Sequence, residues 1–597
     1  MKNKHLVLAV LFAVLTMGAI QHYGGDYLWN QAETARSAGD HVKALAYYDA
    51  LIERYPQHSR RPDALYWSAE LLPSFENFAA TFFPDGSRVV HKGLSKQDLP
   101  EGSLTRIQRY LMILEEYPTH WTAHHVHFQL ADAYHTLGDP RAEELYLKTL
   151  HNEMASRRVD AGLRLMQIYE SQGHLEEALK IIRYCQNELS ATMSIDTQIK
   201  LGDILAALGD PAGAMEAYQE ALLKASEIKE TFPPGATEEE RALFSVKAEY
   251  ARRIEPRLES LEQPDSSVYV QGQVSLLGSP LAGVNVYVRP AADGSKGFSM
   301  ALEGPGQWVT DQSGRFAGHL APGSYEFGIS LNFHQAELVE GTHLQIVGGR
   351  QELRPGVDPE EIIFRFVDTV ELKAPTSDFV YAGGPIEIAW EPYPGAEKYQ
   401  VWFGAVSIDE STGTRHASFP VGVTSATEFT VAVRHVLPFG SVGVDPLGVE
   451  PGCLVLRPEA FDRLRVRVDA LDGADQVLSS STGLNFGGDR EVPGEIKVQE
   501  GLRTKAEELL FQRKYDQAVE LLEDTLEENP EDIDALWLLA RIHQAGTYSL
   551  EENSWDHRDF AHYDLEKSLA LLERIQELQP GPEVEEALRT VRSLLPR

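Results

Sequence analysis

The stretch DTQIKLGDILAALGDPAGAMEAYQEALLK, residues 196–224, decides the fold of the N-terminal part of this chain. Two runs with helical spacing of apolar residues meet at a turn centred on Gly209. A small residue such as Ala214 lets two antiparallel helices approach closely, and Tyr218 fills the space against the next pair. One pair alone cannot bury its apolar face, so the pattern predicts a stack of helical pairs.

The same order of small, turn and aromatic residues recurs upstream. The turn glycines Gly138, Gly173 and Gly209 are separated by 35 and 36 residues, and Tyr27–Pro56 repeats the pattern with a terminal Pro. This resembles the tetratricopeptide repeat family, whose unit joins two helices. The match is weakest around Ala64–Pro118, where the turn signals of Phe75–Glu101 predict a loop insertion.

The resemblance implies a right-handed superhelix whose concave side, lined by the first helix of each pair, binds a peptide or protein segment. The Lys/Asn clamp with which some members of the family hold a peptide C-terminus is absent from the equivalent positions here. We therefore expect no anionic terminus as the ligand. The first-helix positions that the resemblance places in the groove are Trp29, Glu33, Arg36, Arg164, Gln167, Glu170 and Asp203.

The composition changes after the charged stretch Glu238–Glu262, and from Val268 short alternating apolar runs and Gly or Pro turns predict strands. This first β segment resembles the carboxypeptidase regulatory-like, transthyretin-type sandwich, a non-catalytic domain. Ile386–Val401 in the second β segment, with Trp390 and Tyr399 alternating into the core, resembles a fibronectin type III-like sandwich. From Glu500 the helical spacing returns.

These patterns predict a multidomain α + β fold: a helical-repeat superhelix, two central β-sandwiches and C-terminal helical repeats. The predicted segments are a signal peptide or membrane anchor over 1–22, tetratricopeptide-like repeats over 24–264, the carboxypeptidase regulatory-like sandwich over 265–355, the fibronectin type III-like sandwich over 360–490, and repeats over 498–597.

The N-terminus has the pattern of an export signal, because two lysines precede the uncharged run Leu6–Ile20. The sequence leaves open whether this segment is cleaved or stays as an anchor, since the run is shorter than the ~20 residues that comfortably span a bilayer. Both interpretations place the protein outside the cytoplasm, either secreted or tethered to the cell membrane. The two cysteines, Cys185 and Cys453, lie far apart and exclude a disulfide framework or a Cys-based zinc site.

No constellation for catalysis is found in the sequence. The His-x-x-Glu pairs His174/Glu177 and His334/Glu337 are as frequent as chance predicts, and the Gly-x-Ser-x-Gly, His-Glu-x-x-His and phosphate-loop motifs are absent. The chain is therefore predicted to be no enzyme and to need no cofactor. Weak candidates for a metal site are the helical histidines His120, His124 and His127.

The net charge of −36 and the pI near 4.9 argue against a nucleic-acid partner, since phosphates are bound through Lys and Arg. The same charge favours a neutral or basic partner segment. We expect an exported, non-catalytic scaffold or adaptor that binds a protein or peptide through its repeat groove. Two alternatives stay open: a hydrolase or hydrolase accessory using His334 or Glu337, and a carbohydrate-binding protein acting through its β-sandwiches.

Overall fold

The computed structural model describes most of the chain. The predicted export segment Leu6–Ile20 lies outside the described residues. None of the described helices is both long enough and apolar enough to cross a membrane. The described residues are 23–74, 78–84, 86–90, 98–154, 156–187, 194–230, 245–262, 267–291, 308–409, 413–431, 444–445, 448–486, 493–545, 547–549, 554–556 and 560–595.

The chain divides into two compact units. The first contains Met1–Val367 together with Leu484–Asp489, and the second contains Asp368–Gly483 together with Arg490–Arg597. Each unit combines repeat helices with β-sheets, which confirms the predicted mixed α + β, multidomain fold class. The boundaries predicted between repeats and sheets fall inside these units, and they stay predictions.

The helices of the first unit follow one another in antiparallel pairs. They are α1 (23–37), α2 (His41–Arg54), α3 (Arg61–Leu71), α4 (Asp98–Glu116), α5 (Trp121–Thr136), α6 (Arg141–His151), α7 (Arg158–Ser171), α8 (Leu175–Asn187), α9 (Ile195–Ala207), α10 (Pro211–Ser226) and α11 (Val246–Glu262).

The predicted Gly-centred turns are confirmed. Gly39, Gly173 and Gly209 have φ of +76°, +75° and +80°, the left-handed conformation that glycine adopts most easily at a helix end. In each of these turns a new helix begins two residues after the glycine. In two of them Asp40 and Asp210 cap α2 and α10 by accepting hydrogen bonds from backbone N–H groups. Local sequence thus sets the length of each helix and the position of each turn.

The strands of the first unit form two sheets. One has the order β2-β1-β8-β5-β6, with β10 also paired to β8, and the other has the order β4-β3-β11-β9, with β7 also paired to β3. The strands are β1 (Ala80–Phe82), β2 (Arg88–Val90), β3 (Val268–Leu276), β4 (Ser279–Pro280), β5 (Asn285–Pro290), β6 (Trp308–Val309), β7 (Arg315–Leu320), β8 (Gly323–Leu331), β9 (His343–Val347), β10 (Arg350–Leu353) and β11 (Ile362–Val367). Helix α12 (Phe333–Val339) follows β8.

The loop predicted for Phe75–Glu101 was wrong in part. This insertion contains the hairpin β1–β2, and β1 pairs antiparallel with β8, so that Phe82 lies opposite Ile329. Helix α4 also begins inside the predicted loop, at Asp98. Pro84 does lie in a turn, which joins β1 to β2. The hairpin pairs with β8, about 250 residues further along the chain, and no local sequence pattern predicts such a distant pairing.

A continuous hydrophobic core joins the repeats to the sheets of the first unit. Tyr110 on α4, Phe82 on β1 and Phe327 on β8 belong to one cluster of buried side chains. Phe486, in the short segment Leu484–Asp489 that also belongs to this unit, is part of the same cluster. The nearby Leu484 donates a backbone hydrogen bond to the Thr342 carbonyl over 2.7 Å. The repeats and sheets of this unit therefore share one core.

The second unit has two larger sheets, of order β12-β14-β17 and β13-β22-β20-β15-β16, with β21 also paired to β20. Its strands are β12 (Leu372–Ala374), β13 (Val380–Tyr381), β14 (Ile386–Trp390), β15 (Lys398–Asp409), β16 (Gly413–Thr424), β17 (Glu428–Val431), β18 (Val444–Asp445), β19 (Gly448–Val449), β20 (Arg463–Leu471), β21 (Val477–Ser480), β22 (Glu495–Val498), β23 (Thr547–Ser549) and β24 (Ser554–Asp556).

The helices of the second unit are α13 (Pro451–Leu454), α14 (Lys505–Phe511), α15 (Tyr515–Glu528), α16 (Ile533–Gln544), α17 (Leu565–Leu578) and α18 (Pro582–Leu594). Trp390 and Tyr399 are buried together, with ring centroids 5.2 Å apart, as the alternation of the sequence predicts. Their cluster extends without a break to Leu510 on α14 and Leu539 on α16. The C-terminal repeats thus pack on the sheets of the same unit.

Candidate functional site

A carboxylate on the first helix of a pair accepts a hydrogen bond from a tyrosine on the second helix. Tyr218 donates to Asp203 over 2.7 Å, and the same bond joins Tyr48 to Glu33 and Tyr146 to Asp132. The partners are 14 or 15 residues apart in the sequence, which is the distance across one helical hairpin. The aromatic residues that the sequence assigns to packing therefore also link the two helices through a polar bond.

The predicted groove residues of the first pair lie in one cluster. Arg36 donates to both oxygens of Glu33, over 3.2 and 2.8 Å, and its guanidinium lies 4.3 Å from the centre of the Trp67 ring. Burial raises the pKa of Glu33, but the hydrogen bonds from Arg36 and Tyr48 outweigh it and hold the pKa below its ordinary value. Trp29 packs on Tyr48, with ring centroids 5.7 Å apart.

Two other predicted groove acids are engaged in buried ion pairs. Asp203 accepts from Arg257 on α11 over 2.9 Å in addition to Tyr218. Glu170 accepts from Lys200 over 2.7 Å, and the Lys200 side chain is only 1% exposed. Burial raises the pKa of Glu170, and the Lys200 ammonium opposes that rise. These carboxylates hold neighbouring helices together.

The fourth helical pair, α7 and α8, lacks the hydrogen bond between a tyrosine and a carboxylate that the first, third and fifth pairs have. By repeat spacing, Gln167 stands where Asp203 stands in the fifth pair, and Ile182 stands where Tyr218 does. The neighbouring Arg164 reaches back to Asp132 over 3.2 Å and donates to the Gln167 side-chain oxygen over 3.3 Å. Arg164 is nevertheless 44% exposed, so it lies at the surface of the groove.

A cavity of about 240 Å³ opens at this departure from the pattern. It lies on the first helices α5, α7 and α9, and two of the predicted residues, Arg164 and Gln167, are brought together in its wall. The other five predicted residues do not line it. Its lining residues are Phe128, Arg157, Asp160, Leu163, Arg164, Met166, Gln167, Ser194, Asp196, Thr197 and Lys200.

The prediction from first-helix positions missed Arg157, which precedes α7. Its guanidinium lies 4.3 Å from the centre of the Phe128 ring and pairs with Asp160. The resemblance assigns groove positions only to residues inside the first helices, and Arg157 lies just outside, at the N-cap of α7. The Arg-x-x-Asp spacing is the one signal in the sequence that points to it.

The three histidines predicted as weak candidates for a metal site lie at different positions along α5 and at its N-cap. His120 is the N-cap, where its ring accepts from the Thr122 backbone N–H, and His124 lies 3.1 Å from the Asn152 side chain. Burial lowers the pKa of His127. Within the part of the chain that the structure describes, no group of three or more His, Cys, Asp or Glu residues is placed to hold a metal ion.

The C-terminal repeats bind a segment of their own chain. Residues 449–462 run along α14–α16: Tyr515 donates to the Val449 carbonyl over 2.7 Å, and Arg541 donates to the Cys453 carbonyl over 2.8 Å. Arg457 of this segment forms a two-bond ion pair with Glu507, over 2.9 and 2.8 Å. A cavity of about 320 Å³ on these helices includes Leu456 and Arg457 in its wall. This repeat surface is thus partly occupied from within the unit.

Comparison with known families agrees with this geometry. A family model described as "Tetratricopeptide repeat-like domain" matches residues 95–233, and models described as "Tetratricopeptide repeat" match residues 26–58 and 503–556. The helical repeats predicted from the sequence thus match tetratricopeptide models in these three segments. No curated protein matches the sequence. The resemblances proposed for the two β segments stay predictions.

Solved structures of repeat proteins are similar over part of the chain. MamA has 14% sequence identity, covering 33% of this chain and 95% of its own, with a TM-score of 0.24. A thermophilic tetratricopeptide repeat protein from Thermus thermophilus has 14% identity, covering 34% and 92%, with a TM-score of 0.20. A tetratricopeptide repeat protein from Parabacteroides merdae ATCC 43184 has 15% identity, covering 44% and 79%, with a TM-score of 0.20.

Proposed function

We propose that this protein is a non-catalytic scaffold whose first unit binds a peptide segment of a protein partner in the cavity between α5, α7 and α9. Tetratricopeptide repeats generally bind proteins, and their curved stacks present extended concave surfaces. The observation that carries the proposal is the break in the tyrosine–carboxylate pattern at Gln167 and Ile182, with a cavity in the same place.

The size of the cavity favours a peptide side chain as the occupant. Pockets for drug-sized ligands measure roughly 300–1,000 Å³, and this cavity of about 240 Å³ is smaller. It therefore suits one side chain of a longer segment that continues along the groove. Phe128, Leu163 and Met166 supply apolar surface for that side chain, and Arg164 and Gln167 supply polar groups that can fix the peptide backbone.

The charge of the cavity favours a neutral segment. Three cationic residues, Arg157, Arg164 and Lys200, and two acidic residues, Asp160 and Asp196, line it. The three acids among the predicted groove residues, Asp203, Glu170 and Glu33, are held in pairs with Arg257, Lys200 and Arg36 respectively. The net charge of −36 is thus not concentrated at the cavity.

We place this scaffold outside the cytoplasm, secreted or tethered to the cell membrane, on the pattern of Leu6–Ile20 alone. Fractionation of cells that express the full chain tests this placement, and recovery of the chain in the cytoplasm alone would exclude it.

Selection of displayed random peptides on the full-length chain tests the proposed binding. Peptides that bind the wild type should lose at least tenfold in affinity with Arg164→Glu, because this change places a carboxylate beside Asp132 and Gln167. The control is Lys180→Glu on α8, where the ammonium is 65% exposed and pairs with Glu177. If both variants bind the selected peptides equally well, or if no peptide is enriched, the proposal is wrong.

A further inference from the structure

The sheet that contains β20 has a face lined with arginines. Along β20, Leu464, Val466 and Val468 are fully buried in the core of the second unit, whereas Arg463, Arg465 and Arg467 alternate with them on the opposite face. Residues two apart on a strand are about 7 Å apart. Three guanidinium groups thus stand in a row at regular spacing, in a chain whose net charge is −36.

Neighbouring strands extend this row. Lys497 on β22 lies opposite Arg463, and Trp402 on β15 lies opposite Arg467, whose guanidinium is 4.2 Å from the centre of the Trp402 ring. Opposite Arg465, β15 carries Gly404, which offers no side chain to cover or pair with the guanidinium. We call Trp402, Arg463, Arg465, Arg467 and Lys497 the arginine face.

The cations of the arginine face outnumber the acids beside them. Arg463 pairs with Glu495 over 3.2 Å, and Arg467 pairs with Asp469 over 3.0 Å. Glu495 also lies opposite Arg465 on β22, but the side chains of Arg465 and Lys497 form no ion pair or hydrogen bond with any residue that the structure describes. Four cations therefore face two carboxylates, and a positive charge remains.

The donors on this face are also in excess. The Nε of Arg467 and the indole N–H of Trp402 are buried and have no hydrogen-bond acceptor in the described part of the chain. Burial lowers the pKa of Arg465, although a guanidinium remains charged at neutral pH. Glu495 favours the charged form of Arg465 but is shared with Arg463, so an additional anion at this place would stabilise the unit.

We propose that the arginine face binds an acidic polysaccharide through its carboxylate groups. A guanidinium binds a carboxylate through two parallel hydrogen bonds, which a flat row of arginines can repeat along an extended chain. A stiff sugar chain loses less conformational entropy on binding than a flexible acidic peptide does. A nucleic acid is a poorer match, because a duplex carries one negative charge per about 1.7 Å of its axis, whereas the guanidinium groups of the row are about 7 Å apart.

Affinity electrophoresis of the full-length chain in gels containing polygalacturonate tests the assignment. The wild type should be retarded by polygalacturonate and not by neutral dextran, and the retardation should fall severalfold between low and physiological salt. The variant Arg465→Gln/Lys497→Gln should bind at least tenfold more weakly. Lys497→Gln alone, which changes an exposed side chain, should already weaken binding severalfold.

The matched control is Arg354→Gln/Lys373→Gln, which removes the same charge from two exposed positions that are not part of the arginine face. It should bind polygalacturonate within twofold of the wild type. Equal weakening in both double variants would mean that only net charge matters, and the assignment would fail. It would also fail if polyglutamate or anionic phospholipid vesicles bound the wild type as tightly as polygalacturonate, since the face would then be a site for an acidic peptide or a bilayer.

Discussion

The Tyr218 hydroxyl donates a 2.7 Å hydrogen bond to the carboxylate of Asp203, fifteen residues earlier on the facing helix. Asp203 also accepts from Arg257 on the following helix, so a single, largely buried carboxylate joins three successive helices. Asp132 occupies the same position two pairs earlier, between Tyr146 and Arg164. Acids that the repeat pattern places in the groove thus hold the stack together.

We expect Tyr218→Phe to lower the free energy of unfolding by about 1–2 kcal/mol, because Asp203 then loses a donor inside the fold. Urea unfolding followed by circular dichroism measures this loss. Tyr47→Phe is the control, since the Tyr47 hydroxyl has no hydrogen bond with a described residue, and it should change the value by less than about 0.5 kcal/mol. If Tyr218→Phe and Tyr47→Phe lower the free energy of unfolding equally, the hydrogen bond from Tyr218 to Asp203 does not stabilise the fold.

The sequence predicts those parts of the first unit that depend on near neighbours. Gly209 ends a helix and Ala214 allows close packing, and both act through residues within a few turns. The hydrogen bond from Tyr218 to Asp203 was not predicted, although the spacing of 15 residues recurs. Helical periodicity identifies which side chains face each other, but the choice of polar partner depends on the detailed angle between helices.

The insertion between α3 and α4 could not be predicted from the residues within it. The pairing of Ala80 with Leu331 joins residues about 250 positions apart, and no pattern within Phe75–Glu101 indicates it. For a similar reason the predicted groove positions include only two residues of the cavity wall, Arg164 and Gln167. Arg157 belongs to a turn, and its place beside Phe128 depends on how two repeats stack.

Phe82→Ala should destabilise the whole first unit by about 3–5 kcal/mol, the usual cost of removing a buried phenyl ring. Phe82 is 1% exposed and contacts Phe366 and Phe486, with ring centroids 6.1 and 6.3 Å away. Because repeats and sheets share this core, hydrogen exchange should rise together in α4 and β8. Leu104→Ala on α4, where the side chain is 50% exposed, is the control and should leave both elements protected. A rise confined to β1 and β2 would contradict the shared core.

Arg541→Ala should destabilise the second unit by about 3 kcal/mol, because its removal leaves buried acceptors without their donors. Arg541 is fully buried, and burial lowers its pKa to about 10. Its guanidinium donates to the Cys453 carbonyl and to the Gln544 side chain. Thermal unfolding measures the loss, and Arg592→Ala at an exposed ion pair with Glu573 should change the midpoint little. If segment 449–462 stays as protected from hydrogen exchange as in the wild type, Arg541 does not hold it.

Acidification should destabilise the first unit through His135. Burial, with a smaller contribution from the nearby Arg164 charge, lowers the pKa of His135 from 6.5 to about 4. Between these values the unfolded chain binds a proton that the folded chain does not, so stability falls as the pH decreases from about 6.5 towards 4. Between pH 7 and pH 5 the loss should reach at most about 2 kcal/mol. His135→Gln removes this titration, so its urea midpoint should fall less over the same range than that of the wild type. If the urea midpoints of the two proteins fall by the same amount between pH 7 and pH 5, His135 does not cause the loss of stability at low pH.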